Sequence, residues 1–266
     1  MSVTDGPDAS CGAPGVGNGW EVFRRSGTVA ELHGLDLPGT APVARGIWVL
    51  EPVAPAVALG SAQRQLVPDA GVSPPVAGSP ARVVRSSGGG AVLVDPACCV
   101  WIDVVIPRDD PLWHDDVGRS ALWLGRCWQA ALADLGITAG VHEGPADRHD
   151  AARAACFAGM GPGEVVADGR KLVGISQRRT RTGARYQCLA YTALPAVAPL
   201  VAALGGVAPV GLADQLVATT GYVTARHPVL VDAVVRAMMT TTPSDGAAER
   251  GAGTPTPRPA MRGGDR

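Results

Sequence analysis

Short apolar runs separated by glycine and proline alternate along the first half of the chain, a pattern typical of β-strands joined by turns. The run at 46–60 is interrupted at Glu51-Pro52 and at Pro55, so it predicts two short strands. Residues 64–80 are rich in proline and glycine and predict a surface loop. Further strands are predicted at 81–85, 91–94 and 100–106.

One stretch has the period of an amphipathic helix. Apolar residues between 111 and 135 recur at helical spacing. Asp110 can act as the N-cap, Pro111 suits the first helical position, and Gly136 supplies a C-terminal stop. The pattern therefore predicts one long helix after the first group of strands.

The second half of the chain opens with a hairpin signal, because Asp168-Gly169 lies between two apolar runs. This dipeptide predicts a tight turn between strands at 164–167 and 171–176. A further strand is predicted at 187–192, and helices are predicted at 196–204, 212–219 and 228–239.

The order of strands, helix, strands and helices predicts an α+β fold: a single domain with a mixed, mostly antiparallel sheet flanked by helices. We assign residues 20–240 to this domain. The segments 1–19 and 241–266 are polar and rich in glycine and proline, a composition that predicts disorder.

Composition limits the classes of function. The chain has 266 residues, 46% of them hydrophobic, and a net charge of −1, which predicts neither nucleic-acid nor membrane-surface binding. Its six cysteines form no CxxC pair and no zinc-ligand pattern, so no metal site is predicted. Neither a signal peptide nor a membrane span is visible, and free thiols in the cytoplasm are expected.

A glycine-rich segment follows the strand at 81–85 and reads Arg85-Ser86-Ser87-Gly88-Gly89-Gly90-Ala91. Successive glycines let a backbone approach a ligand, and their N–H groups can hold a phosphate or a carbonyl oxygen. Arg85 can pair with an anion. A flexible turn between strands explains the glycines equally well, and the segment is neither a Walker loop nor a Rossmann fingerprint.

A lysine stands directly after the predicted hairpin turn, in Gly169-Arg170-Lys171-Leu172-Val173-Gly174-Ile175-Ser176-Gln177-Arg178-Arg179. Lys171 shares the face of Val173, and an unpaired inward charge is costly. A lysine in that position can hold a phosphate or carbonyl oxygen. The alternative is a solvated lysine that protects an edge strand.

Together the two segments resemble the lipoate–protein ligase A and octanoyltransferase family. The segment Leu59-Gly60-Ser61-Ala62-Gln63 resembles the family's early G-x-x-Q motif. The resemblance covers about residues 20–240 and implies a biotin/lipoate ligase catalytic-domain fold with an acyl-binding tunnel. It implies a catalytic role for Lys171 and substrate binding by Arg85, Ser87, Gly88, Gly89, Gly90, Ala91, Gly174 and Ser176.

Cys156 bears on the subclass. The pair Cys156-Phe157 precedes the lysine segment, as in the cysteine-dependent octanoyltransferases and amidotransferases of the family. The resemblance implies that its thiol accepts the acyl group as a thioester and passes it to a target lysine. A buried, inert cysteine is the alternative reading.

Two other functions stay open. An ATP-dependent ligase would form an acyl-adenylate and require ATP and Mg²⁺, whereas the transferase needs no permanently bound cofactor. A catalytically diverged binder of acyl groups or carriers is suggested by two departures from the family pattern. Ile175 is expected to narrow the pocket, and Gln187-Cys188-Leu189 stands where the family commonly has a histidine.

The resemblance also implies a partner, which is a lipoyl carrier domain or a glycine cleavage H-type protein, together with an octanoyl or lipoyl donor. Such carriers are generally acidic. A basic rim that would attract them is predicted from a cluster of cations, although a solvated strand end would show the same cluster. Its members are Arg170, Lys171, Arg178, Arg179, Arg181 and Arg185.

Overall fold

A computed structural model describes residues 19–36, 44–67, 72–73 and 80–241, with the backbone alone at 72–73. The disorder expected for 1–19 and 241–266 therefore falls outside the described residues, apart from Gly19 and Thr241. Residues 68–71 and 74–79 of the predicted loop at 64–80 also lie outside the described residues.

Within these ranges the chain forms eleven strands and six α-helices. The strands are β1 (Trp20–Gly27), β2 (Arg45–Pro52), β3 (Ala56–Leu59), β4 (Val72–Ser73), β5 (Ala81–Val84), β6 (Val92–Val94), β7 (Cys99–Pro107), β8 (Gly140–Val141), β9 (Val165–Ala167), β10 (Arg170–Arg179) and β11 (Gly183–Tyr191). The helices are α1 (Val29–Gly34), α2 (Leu122–Asp134), α3 (Asp150–Ala154), α4 (Ala198–Leu204), α5 (Leu212–Thr219) and α6 (His227–Thr240).

Seven strands form one sheet in the order β1-β2-β7-β11-β10-β9-β8. Only β1 and β2 run parallel in it; all its other neighbours are antiparallel. A smaller sheet has the order β4-β5-β3-β6. The predicted α+β class and mostly antiparallel sheet are confirmed.

The large sheet is covered on both faces. On one face Val100, Ile102 and Val104 of the central strand β7 share a core with α2 and α6. On the other face Cys99 and Trp101 join a second core formed by the small sheet, α1, α4 and α5. A strand covered on both faces needs apolar side chains in both directions, which explains the nearly continuous apolar run of β7.

The hairpin β9–β10 forms at the predicted turn. Asp168 has φ of 50° and Gly169 has φ of 72°. Two successive positive φ values are what a type I′ turn requires, and Asp-Gly accommodates them well. The hairpin prediction is confirmed, and the turn places Lys171 one residue inside β10.

The predicted helix at 111–135 is wrong in its first half, because α2 begins only at Leu122. Before Leu122, side chains accept hydrogen bonds from backbone N–H groups that a helix would use. The N–H of Asp116 donates to His114 Nδ1, and the N–H of Gly118 donates to Asp116 Oδ1. Asp110 caps no helix; its carboxylate pairs with Arg45 at 2.6 Å. None of the helices in the described ranges is long and apolar enough to cross a bilayer.

Candidate active site

Arg85 shapes the glycine-rich segment from inside. Its buried guanidinium donates from Nη2 to the carbonyls of Gly88 at 2.7 Å and of Gly90 at 2.9 Å. Gly89 curves around this group with φ of 92°, and a side chain there would meet Arg85. The arginine that was expected to pair with an anion thus binds the backbone carbonyls of the segment itself.

The glycine-rich segment lies directly on the chain that leads to Cys156. The N–H of Ala91 donates to Ala154 O at 2.8 Å, and the N–H of Cys156 donates to Ala91 O at 2.8 Å. A Cβ on Gly90 would lie 2.6 Å from the nitrogen of Ala155, so only glycine fits. Backbone contact of this kind fixes where the Cys156 segment sits.

The G-x-x-Q segment joins the same assembly. Gln63 donates to Ala154 O at 2.9 Å and accepts from the N–H of Gly60 at 3.0 Å. A Cβ on Gly60 would lie 1.8 Å from Gly89 O. Three segments that are distant in sequence therefore meet beside Cys156.

Cys156 opens a short 3-10 turn, Cys156–Ala158, and is half-buried. A Cβ on Gly174 would lie 3.2 Å from Cys156 Sγ and 3.3 Å from the Phe157 ring. Strand β10 therefore carries no side chain at the point where the Cys156 thiol approaches it, and glycine commonly serves this purpose in a strand.

Lys171 is the only lysine of the sequence, among 22 arginines. Its side chain is buried, and its Nζ lies 2.6 Å from Glu164 Oε2 and donates to the carbonyl of Cys156. Burial is the largest single influence and opposes the charge of the amine, but the Glu164 carboxylate together with Cys156 and Asp147 outweighs it, so the pKa of Lys171 is raised. Burial also raises the pKa of Glu164, against the attraction of Lys171.

Glu164 was not identified from the sequence. Its carboxylate also accepts from the N–H groups of Gly161 at 2.6 Å and Ile175 at 3.2 Å, so it is held rigidly. The predicted hairpin could have pointed to Glu164, because its register places residue 164 opposite the strand that carries Lys171.

A cavity of about 30 Å³ lies between Cys156 and the large sheet. This space holds about two waters, so an acyl chain must displace side chains to enter. The polar residues His33, Arg85, Ser176 and Gln187 line it together with Cys156 and Gly174. The rest of the wall is apolar and consists of Val92, Val94, Trp101, Phe157, Cys188 and Leu189.

A hydrogen-bonded row runs along one side of this cavity. Ser87 Oγ lies 3.1 Å from Ser176 Oγ and donates to Gln187 Oε1 at 2.6 Å. Gln187 Nε2 faces His33 Nδ1 at 3.1 Å. Ser87 therefore ties the glycine-rich segment to strands β10 and β11.

A second apolar cavity lies behind the first. Val92 and Phe157 line both cavities, so they form the partition between them. Pro195, Val197, Leu200 and Leu216 belong to the far wall.

The predicted site residues fall into two groups. Arg85, Cys156, Gly174 and Ser176 line the first cavity. The others adjoin it through the contacts described above: Lys171, Ser87, Gly88, Gly89, Gly90 and Ala91. Sequence reasoning missed Glu164, Gln187 and His33.

Two expectations about neighbouring residues are wrong. Ile175 does not narrow the pocket; side chains alternate along β10, so Ile175 packs against the opposite core. The basic rim is smaller than predicted, because Lys171 is buried against Glu164 and Arg185 is buried against Asp103 at 2.6 Å. The exposed cations of the cluster are Arg170, Arg178 and Arg181.

Solved structures share this fold. Lipoate-protein ligase A bound with ATP superposes with a TM-score of 0.56 and 13% identity, covering 84% of each chain. A bi-partite lipoate protein ligase of Thermoplasma acidophilum, described with its E2 lipoyl domain, gives 0.53 and 13% identity, covering 82% of this chain and 81% of that one. At this level of identity the likeness establishes the fold of a lipoate ligase catalytic domain.

Sequence comparison gives the family. The model of the lipoyl protein ligase A/B catalytic domain matches residues 45–196. Octanoyltransferase LipM of Moorella thermoacetica is 37% identical over 98 residues, which are 36% of this chain and 35% of that protein. The chain therefore belongs to the lipoyl protein ligase A/B catalytic domain family. The octanoyltransferase and the lipoate-protein ligases that it resembles are enzymes. The resemblance inferred from the motifs is confirmed.

Proposed function

We propose that the protein transfers an octanoyl or lipoyl group from a thioester donor to a lysine of a lipoyl carrier domain, through a thioester on Cys156. The observation that carries this proposal is the position of Cys156. Its thiol lines an apolar cavity and is set there by the glycine-rich segment. Residues 20–240 form the single catalytic domain in this proposal.

The reaction divides into two acyl transfers. In the first, Cys156 Sγ bonds to the carbonyl carbon of the donor, the carbon–sulfur bond of the donor breaks, and the donor thiol leaves with the proton from Cys156. In the second, the amine of the target lysine attacks the new thioester. An amide forms as the carbon–sulfur bond to Cys156 breaks, a proton of the amine passes to sulfur, and free Cys156 is regenerated.

Lys171 supports both transfers as a fixed positive charge. Its amine is anchored between the Glu164 carboxylate and the backbone carbonyl of Cys156, the residue whose side chain reacts. A preorganised buried cation stabilises negative charge that develops on the substrate carbonyl. Glu164 positions Lys171 and does not meet the substrate.

The alternative is an ATP-dependent ligase that forms an acyl-adenylate with Mg²⁺. The exposed glycines Gly88 and Gly89 are compatible with a phosphate. Glu164 and the Cys156 carbonyl take two of the three N–H donors of Lys171, which leaves one for a phosphate as for a carbonyl oxygen. The position of Cys156 at the cavity, for which the adenylate route has no use, favours the transferase.

The exposed cations Arg170, at the start of β10, and Arg178 and Arg181, near its other end, give both ends of this strand positive charge that attracts an acidic carrier. The acceptor is a lipoyl domain or a glycine cleavage H-type protein. Substituting all three arginines by glutamine is expected to raise KM for the carrier while kcat changes little, because these side chains lie outside the cavity.

Mass spectrometry of the acceptor distinguishes the three functions. One sample receives octanoyl-carrier protein without ATP; the other receives free octanoate or lipoate with ATP and Mg²⁺. Acylation in the first sample only is the expected result. Acylation in the second only, with pyrophosphate release, would establish the ligase, and carrier binding without acylation in both would establish the diverged binder.

A further inference from the structure

His33 brings an imidazole to the cavity from outside the motif segments. It lies in α1, whose first turn is fixed by a capping box between Thr28 and Glu31. Its ring packs against the Trp101 ring, with centroids 4.6 Å apart, and lines the same cavity as Cys156. The proposed transfer assigns this histidine no role.

The hydrogen bonds around Gln187 fix the tautomer of His33. Gln187 Nε2 lies 3.4 Å from Asp103 Oδ2, and Asp103 is paired with Arg185, so its carboxylate only accepts. The amide nitrogen of Gln187 must therefore face Asp103, and it also donates to His33 Nδ1 at 3.1 Å. With Nδ1 accepting, the ring proton of His33 resides on Nε2.

The Nε2 atom of His33 is shielded from solvent and has no hydrogen-bond partner among the described residues. Buried donors are mostly paired in native proteins, so this unpaired donor, on a residue that lines the cavity, is available to a bound group. The pKa of His33 lies well below its ordinary value because of burial and of the nearby cations Arg85 and Arg185. The ring is thus a neutral donor near pH 7.

The shared cavity brings His33 close to a group attached to Cys156. Gly174, which faces Cys156 Sγ, pairs with Leu189, so Gln187, the hydrogen-bond partner of His33, is its diagonal neighbour on β11, about 7–8 Å away. Cys156, Gly174, Gln187 and His33 all line one cavity of about 30 Å³. An acyl carbonyl bonded to Sγ that occupies this cavity therefore lies beside the His33 ring.

We propose that His33 donates its Nε2–H to the carbonyl oxygen of the bound acyl thioester and to the oxyanion that forms there. This inference rests on the proposed function, since it requires an acyl group in the cavity. When Cys156 Sγ attacks, the carbonyl π electrons move to oxygen, where His33 holds the charge. When the carbon–sulfur bond of the donor breaks, those electrons return. His33 keeps its proton throughout and acts as a donor, not as a base.

Nuclear magnetic resonance of the full chain labelled with ¹⁵N-histidine tests the contact directly. The probe is an octanoyl thioester, added to the wild type and to Cys156→Ala, which cannot form the covalent adduct. The His33 resonance is assigned by its loss in His33→Ala. We expect a protonated Nε2 in the free protein and a clear shift of its proton resonance in both proteins at saturation.

Kinetics supply the second readout. His33→Ala is expected to lower the rate of acyl transfer about 10²–10³-fold, as removal of one oxyanion donor does, with little change in KM. His33→Gln, which retains an N–H donor, is expected to restore part of that rate.

An Nε2 resonance that does not move at saturation in either protein would overturn the inference, as would an unchanged transfer rate in His33→Ala. The resonance test does not depend on covalent chemistry. A shift in Cys156→Ala combined with no adduct in the wild type would contradict the Cys156 thioester while supporting the contact of His33.

Discussion

The amine of Lys171 and the carboxylate of Glu164 lie 2.6 Å apart with both side chains buried. Glu164 is held by two backbone N–H groups, and the amine also donates to the Cys156 carbonyl. The pair thus anchors a cation next to the half-buried thiol, and each charge depends on the other.

Removing one member of this pair should destabilise the fold. Lys171→Met leaves Glu164 as an unpaired buried charge, and we expect a loss of about 3–5 kcal/mol in the free energy of unfolding. Adding Glu164→Gln should recover a large part of this loss. Urea unfolding measures both, with the exposed Arg181→Met as the control. A double variant no more stable than Lys171→Met would contradict the coupling.

Gly174 should be sensitive to a single methyl group. In Gly174→Ala the new Cβ would crowd Cys156 Sγ at 3.2 Å and Phe157 at 3.3 Å. Displacing a nucleophile by a fraction of an ångström to 1 Å can cost about a hundredfold in rate. We expect such a fall in the rate of acyl transfer. Gly140→Ala, where the added atom meets open space, is the control and should leave the rate unchanged.

Phe157 should limit the length of the acyl chain, because its ring and Val92 separate the two cavities. In Phe157→Ala the cavities join, and the ratio of kcat/KM for dodecanoyl over octanoyl donors should rise about tenfold or more. The variant loses about 3–5 kcal/mol of packing, so Phe157→Leu provides a milder form. Phe23→Ala, the chain's other phenylalanine, should leave the ratio unchanged; an unchanged ratio in both position-157 variants would refute the partition.

Stability should fall in alkaline solution because of two buried thiols. Burial raises the pKa of Cys99 to about 12 and that of Cys98 to about 11. Above pH 9 the unfolded chain loses these protons while the folded chain retains them. The free energy of unfolding should therefore decline by up to about 1.4 kcal/mol per pH unit for Cys99 and by less for Cys98, whose less complete burial leaves it partly screened by solvent. Cys99→Ala should show a shallower decline in urea unfolding at pH 8–10.5.

The local signal of Asp168-Gly169 was sufficient for the β9–β10 hairpin, and the order of elements was sufficient for the α+β class. The meeting of the glycine-rich segment with the Lys171 strand was expected only from the family resemblance of the two motifs. The start of α2 was misjudged, because helical spacing does not reveal the side-chain hydrogen bonds around Asp116 that compete with the helix.

The polar network of the site could not be predicted in the same way. His33 meets Gln187 across more than 150 residues of chain, and Arg185 meets Asp103 across 82. Such pairs depend on strand order and register in the folded sheet. The Thr28–Glu31 capping box was a visible sign of α1, but not of where α1 would place its histidine.

Peptide mapping of the acylated protein tests the thioester on Cys156 most directly. The chain is mixed with an octanoyl thioester without carrier domain, and the modified residue is located by mass spectrometry. We predict one octanoyl group on Cys156, removable by hydroxylamine, absent in Cys156→Ser and retained in Cys98→Ser. An octanoyl group on Lys171, or on any residue other than Cys156, would contradict the account.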